Sequence, residues 1–227
     1  MHATLIEDIV LDLDPASAVK RLRLGRTRNP EARVRSFIRR VLELAQPRGL
    51  YAVHPVGERG EDWVDVGGTR LRSGVLARHT RGADRAFPYV VTLGPRVEEE
   101  VSRTADLLEQ YCLHEVANLA LARARDALRA RVGEAFALPK LYSLAPGSLP
   151  EWPITEQRAL FGLLGDVEGQ LGVRLTETFL MIPRKSLSGL IFPSERPFVS
   201  CRLCDTRHCP GRQAPYDSAA AAEADHD

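Results

Sequence analysis

Between Pro95 and about Val132 the chain holds its longest unbroken helical pattern, and this stretch constrains the fold more than any other. Val97, Val101, Ala105, Leu108, Cys112, Val116, Leu119 and Ala120 recur at helical spacing. Glu98, Glu99 and Glu100 fall in the first turn, where negative charge suits the helix N-terminus. At 1.5 Å per residue such a helix runs roughly 50 Å. Two shorter helices are expected earlier, at roughly 15–24 and 30–45. Each opens on a capping side chain and a proline, Asp14-Pro15 and Asn29-Pro30. In the second, Val34, Phe37, Ile38, Val41, Leu42 and Ala45 form one apolar stripe.

Between these helical regions the pattern shortens to β-rich pieces, YAVHPV, DWVDV, TRLR and PYVVTL, separated by glycines and charged turns. A Pro- and Gly-rich loop, PKLYSLAPGSLPEWP, follows the long helix. Then come a helix near 155–168, with Leu160, Phe161, Leu164 and Val167 facing inward, and two strand-like runs, VRLTETFLMIP and SLSGLIFP. Between those runs Arg184-Lys185 reads as a turn or a binding loop. The fold class expected is α+β: a mixed or antiparallel sheet packed with several helices, one of them long and central. The chain shows no internal repeat and no GxGxxG or GxxxxGK phosphate loop.

Charge and composition narrow the function. Lys and Arg total 31 against 30 Asp and Glu, so net charge draws the chain to neither nucleic acid nor membrane. The basic stretch KRLRLGRTRNPEARVRSFIRR reads as two solvated helix faces, with Phe37 its one aromatic residue for base stacking. Nucleic acid and membrane are therefore not expected partners. The N-terminal residues lack the basic region, apolar run and cleavage site of a signal peptide, and no run approaches the ~18 apolar residues of a membrane span, so a cytoplasmic location is expected.

Three of the four cysteines, Cys201, Cys204 and Cys209, form C-x2-C-x4-C. In a reducing compartment this spacing points to a metal, either an iron–sulfur cluster, which Cys209-Pro210 suits, or zinc. A fourth ligand is missing locally: His208 adjoins Cys209, and Cys112 reads as core. Asp205, His208 and Gly211 approach a D-x-H-x-x-G corrinoid signature, but Asp and His stand one residue too far apart.

The run Leu175 to Phe192, LTETFLMIPRKSLSGLIF, closely resembles the most distinctive stretch of the activation (reactivation) domain of cobalamin-dependent methionine synthase, an LTESFAM-x-P segment followed by SVSG. The matching positions are Leu175, Thr176, Glu177, Phe179, Met181, Pro183, Ser186, Ser188 and Gly189, and Ala145-Pro146-Gly147 matches the family's R-x-APGY loop. The resemblance covers about 140–195 and, through TLGPRVEEE, reaches back to about 90. It implies a stand-alone form of that domain, acting on a separate corrinoid methyltransferase with S-adenosylmethionine as ligand, cobalamin contacted on the partner, and flavodoxin or ferredoxin as electron donor. The candidate ligand residues are Ala145, Pro146, Gly147, Glu177, Pro183 and Ser186 by the same resemblance, together with Ser148, Arg184 and Lys185, which depart from it. Arg184 and Lys185 replace the family's small residues and add positive charge beside the site, for carboxylate or phosphate contacts, for the partner, or as a solvated turn. Ser143 stands where the family loop has arginine, and Ser148 where it has tyrosine. These departures bear on S-adenosylmethionine binding and favour the alternative of a docking module that recognises a corrinoid protein without that ligand. The expected organisation is an activation-domain-like unit over 1–198, a cysteine segment over 199–216 and a disordered tail over 217–227.

Overall fold

The computed structural model describes residues 3–22, 29–207, 209, 211–219 and 221. Its centre is strand β6, Arg85–Thr92. One edge of β6 pairs with β2 (Arg48–Tyr51) and then β3 (His54–Arg59), and the other pairs with β10 (Ser186–Pro193). β1 (Thr4–Ile6) extends the sheet beyond β2, β4 (Trp63–Val66) and β5 (Thr69–Arg72) beyond β3, and β7 (Leu141–Leu144) beyond β10. Every pairing is antiparallel, as the α+β reading requires. A separate two-stranded ladder joins β8 (Arg174–Leu175) to β9 (Met181–Ile182).

The alternation along β6 separates two cores. Phe87, Tyr89 and Val91 face helices α1 (Pro15–Leu22), α2 (Pro30–Leu44), α4 (Pro95–Arg103) and α5 (Leu107–Phe136). Ala86 and Val90 face the other side, which α3 (Gly74–His79), α6 (Gln157–Leu164) and α7 (Val167–Leu171) cover. Within α2 the expected stripe is buried through Val34, Phe37, Ile38 and Val41. Asp14 caps α1, its carboxylate accepting the N–H groups of Ala16 and Ser17, but Asn29 makes no side-chain cap and adopts a left-handed conformation.

The long helical pattern is two helices. The chain breaks at Thr104–Asp106, where the Thr104 N–H and hydroxyl both return to the Glu100 carbonyl and Asp106 caps α5 by accepting the Glu109 N–H. Side chains that cap and bond back to the helix compete with its continuation. Ala105 and Leu108 consequently leave the stripe, and Leu108 is 49% exposed. Cys112, Val116 and Ala120 keep their places in the core. The helix near 155–168 likewise divides at Gly165–Asp166 into α6 and α7. Among the described residues no helix is long and apolar enough to cross a membrane.

Candidate functional site

Apart from Glu177, the expected ligand residues fall into two groups, and the sheet stands between them. After β7, the turn Ala145–Ser148 is closed by the Gly147 N–H donating to the Trp152 carbonyl at 2.7 Å, and the Ser148 hydroxyl returns to the Ala145 carbonyl at 2.6 Å. Gly147 has φ +78°, a conformation that disfavours any residue with a Cβ, and a Cβ there would lie 3.1 Å from Ile154. Trp152, fully buried, anchors the turn in the core that includes Leu144, Leu160 and Phe192. The turn thus belongs to the α6 face.

Pro183, Arg184, Lys185 and Ser186 meet the opposite helices. Arg184 is fixed twice by Glu98 of α4, whose carboxylate accepts the Arg184 N–H at 2.7 Å and its Nε–H at 2.6 Å. Lys185 is not a solvated turn residue: it is 5% exposed, with Nζ 2.7 Å from the Asn118 Oδ1 and 3.1 Å from the His114 Nδ1 of α5. Burial pulls its pKa down to about 8, with nearby Arg184 in the same direction and Glu115 and Glu98 opposing. Asn118 passes the chain of contacts to Glu115, which in turn accepts Arg21 of α1 at 2.9 Å. Ser186 donates to the Pro183 carbonyl and bonds the Thr92 hydroxyl. The i,i+4 spacing of His114 and Asn118 was a readable sign that the two share a helix face. Nothing in the sequence tied that face to Lys185.

Glu177 lies not in a strand but in the exposed turn between β8 and β9. With Arg158, Phe161, Asp166 and Arg174 it borders a cavity of about 340 Å³, and Arg158 lies 5.3 Å over the Phe179 ring.

On the α5 side of β7, Ser143 shares a side-chain hydrogen bond with Tyr89, a buried phenol whose pKa burial pushes up to about 12 against the opposing influence of Arg125, Ser143 and Arg129. The neighbouring strand leaves room for this contact through Gly189, where a Cβ would lie 2.5 Å from the Leu144 carbonyl and 2.9 Å from the Tyr89 ring. Tyr89, Arg125 and Arg129 are site neighbours that the motif reading did not single out.

The cysteine segment departs from the expected ligand set. Cys201 lies in a 3-10 turn, its sulfur accepting the Gln213 N–H at 3.3 Å, while Cys204 bonds the Thr206 hydroxyl at 3.3 Å. Cys209 instead borders a separate cavity between α1 and α5, with Arg21 and Arg212. Among the described residues no three His, Cys, Asp or Glu side chains are gathered to hold one metal ion. The described residues thus do not support an iron–sulfur cluster or zinc at this segment. His208 and Pro210 lie outside the described residues. Of the tail, Asp217 meets Arg202 through its backbone N–H and its carboxylate, and 220 and 222–227 lie outside the described residues.

Fold and sequence signature both resemble the activation domain of cobalamin-dependent methionine synthase. Residues 144–199, from the end of β7 through β10, match the family described as vitamin B12 dependent methionine synthase, activation domain. Among solved structures, the chain is similar to the MetH reactivation domain bound to AdoHcy, with 16% identity, a TM-score of 0.58, and coverage of 88% of this chain and 81% of that one. A comparison with curated proteins gives no significant match.

Proposed function

We propose that the chain is a cytoplasmic reactivation component that works in trans on a separate cobalamin-carrying methyltransferase. Its role is to dock over the partner's oxidised corrinoid and present S-adenosylmethionine. One electron, delivered by flavodoxin or ferredoxin, reduces cob(II)alamin, and the sulfonium then transfers its methyl group, leaving S-adenosylhomocysteine. The carrying observation is that the family match at 144–199 runs from the last residue of β7 through its following turn to β10, within a fold shared over most of the chain. The Ala145–Ser148 turn is the proposed ligand-facing element, because a glycine at positive φ lets backbone approach a ligand closely. The unit 1–198 carries this role and 199–216 is an appended segment.

The test is anaerobic incubation with a cob(II)alamin-loaded methyltransferase, a reductant and S-adenosylmethionine. Methylcobalamin is expected to form faster when the chain is present; an unchanged rate together with no calorimetric binding of S-adenosylmethionine would sink the reading. One observation favours the docking-module alternative: Ser143 is engaged with Tyr89, and Ser148 spends its one hydroxyl proton on the Ala145 carbonyl, so Ser148 can offer a ligand only an acceptor. Corrinoid-protein binding without S-adenosylmethionine binding would select that alternative.

A further inference from the structure

The cavity that Cys209 borders has a volume of about 590 Å³, within the range of roughly 300–1,000 Å³ typical of small-molecule sites. Three separate parts of the chain build it: the last turns of α1, the middle of α5 and the segment from Cys209 to Gln213. Its wall carries four cations, Lys20, Arg21, Arg123 and Arg212, against one carboxylate, Asp126. That carboxylate is already taken up, with Arg125 at 2.8 Å and Arg129 at 3.5 Å. The charge facing the cavity is therefore strongly positive, and it draws anions.

The four cations are committed to different degrees. Arg212 spends its terminal nitrogens on four carbonyls of its own segment and adds charge to the cavity rather than donors. Arg21 gives its Nε–H to Glu115, but its two terminal nitrogens have no partner among the described residues. They face Gly211, where a Cβ would lie 3.6 and 3.7 Å from them and 3.8 Å from the Cys209 sulfur. The missing side chain leaves an opening between guanidinium and thiol. Lys20 and Arg123 are exposed, and neither forms an ion pair among the described residues. Asp14, which feels the Arg123 charge, is occupied in capping α1. Leu119 and Ala122, three apart on α5, add apolar wall beside these donors.

One guanidinium satisfies a carboxylate, whereas the three outer oxygens of a phosphate accept from several sides at once. Donors arriving from α1 and α5 fit the second geometry. We propose that this cavity is a binding site for a small organic phosphate, its phosphate held by Lys20, Arg21 and Arg123 and its apolar body lying against Leu119 and Ala122. The cysteine segment completes the wall, with Cys209 exposed at the rim. The site shares no residue with the Ala145–Ser148 turn and stands independently of the S-adenosylmethionine reading.

The test is calorimetric titration at low salt with phenyl phosphate and with inorganic phosphate, paired with the rate of Cys209 alkylation by iodoacetamide. Phenyl phosphate is expected to bind saturably, more tightly than inorganic phosphate, and to slow the alkylation. The double variant Lys20→Gln, Arg123→Gln alters only exposed positions and should weaken phenyl phosphate by about tenfold or more with an unchanged melting curve. Gly211→Leu fills the opening and should abolish both binding and protection. The proposal is overturned if phenyl phosphate fails to saturate below about 10 mM, or if both variants bind it as the unaltered protein does. Equal affinity for the two phosphates would remove the apolar contact and overturn the organic ligand. Protection of Cys209 by polyglutamate but by neither phosphate would assign the basic wall to an acidic protein surface instead.

Discussion

Two segments carry the residues that stand out in the sequence, and they are held in place by different means. The turn at Ala145–Ser148 is fixed by a backbone hydrogen bond, by the left-handed Gly147 and by Trp152 sunk in a core that spans β4, β5, α3 and α6. The cysteine segment is cross-braced by arginines: the Arg212 guanidinium donates to the carbonyls of Cys201, Cys204, Thr206 and Ala214, and Arg202 pairs with Asp217. A loop tied to the core is deformed only at the cost of global stability, whereas a loop tied mainly by arginine side chains opens locally. The difference orders the expected effects of mutation.

The largest belongs to Trp152→Ala. Emptying the site of a fully buried indole removes the platform of the turn, and such truncations cost about 3–5 kcal/mol. Denaturant unfolding should show the loss as a lowered midpoint, and a change under ~1 kcal/mol would mean that the turn is not anchored in the core. Gly147→Val is expected to cost less, about 1–3 kcal/mol, because it forces a β-branched residue to positive φ and presses a side chain against Ile154. Its S-adenosylmethionine binding should fall further than its stability does if the turn faces the ligand. Equal behaviour of the two properties would make Gly147 a folding glycine alone.

Lys185, at the β10 end of the same family-matched stretch, gives a smaller effect with a defined pH window. Its native pKa of about 8 lies below the ordinary lysine value of 10.5. Between those two values the unfolded chain holds the proton that the native chain has released, so this residue's contribution to stability rises with pH across the window and is flat and unfavourable below it. The groups facing it are His114, Asn118, Glu115, Arg184 and Glu98. Relative to Lys185→Met, the unaltered protein should gain about 2 kcal/mol between pH 8 and 10. A parallel pH dependence of the two proteins would show that the ammonium is not desolvated.

What the sequence disclosed follows the range of the forces involved. Local periodicity identified α2 through Val34, Phe37, Ile38 and Val41, and the core position of Cys112, because each depends on spacing along one helix. The LTET and SLSG runs identified the fold family because they compress a hairpin and a central strand into one ordered stretch. The break at Thr104–Asp106 was hidden because Ala105 and Leu108 keep helical spacing across it, and α3 was hidden by its brevity, six residues capped by Ser73. Contacts between distant elements escaped altogether. Lys185 looked exposed beside Arg184 until α5 brought Asn118 and His114 over it, and C-x2-C-x4-C spacing said nothing of Cys209 turning toward α1.

The smallest global effect, and the sharpest contrast with Trp152, is expected of Arg212→Ala. Removing the guanidinium leaves four carbonyls without their shared donor, but they lie in a partly exposed segment that meets the core through the half-buried Leu203 and Cys204, and water can replace the donor there. The overall unfolding midpoint should therefore move by under ~0.5 kcal/mol. Local opening should nevertheless rise, read as faster alkylation of Cys201 and Cys204, whose sulfurs bond the Gln213 N–H and the Thr206 hydroxyl inside the braced loop. Cys209 is already exposed and serves as the internal control, with an unchanged rate. A fall in the global midpoint comparable to that of Trp152→Ala would mean that the cysteine segment folds as part of the core, removing the distinction between the two loops.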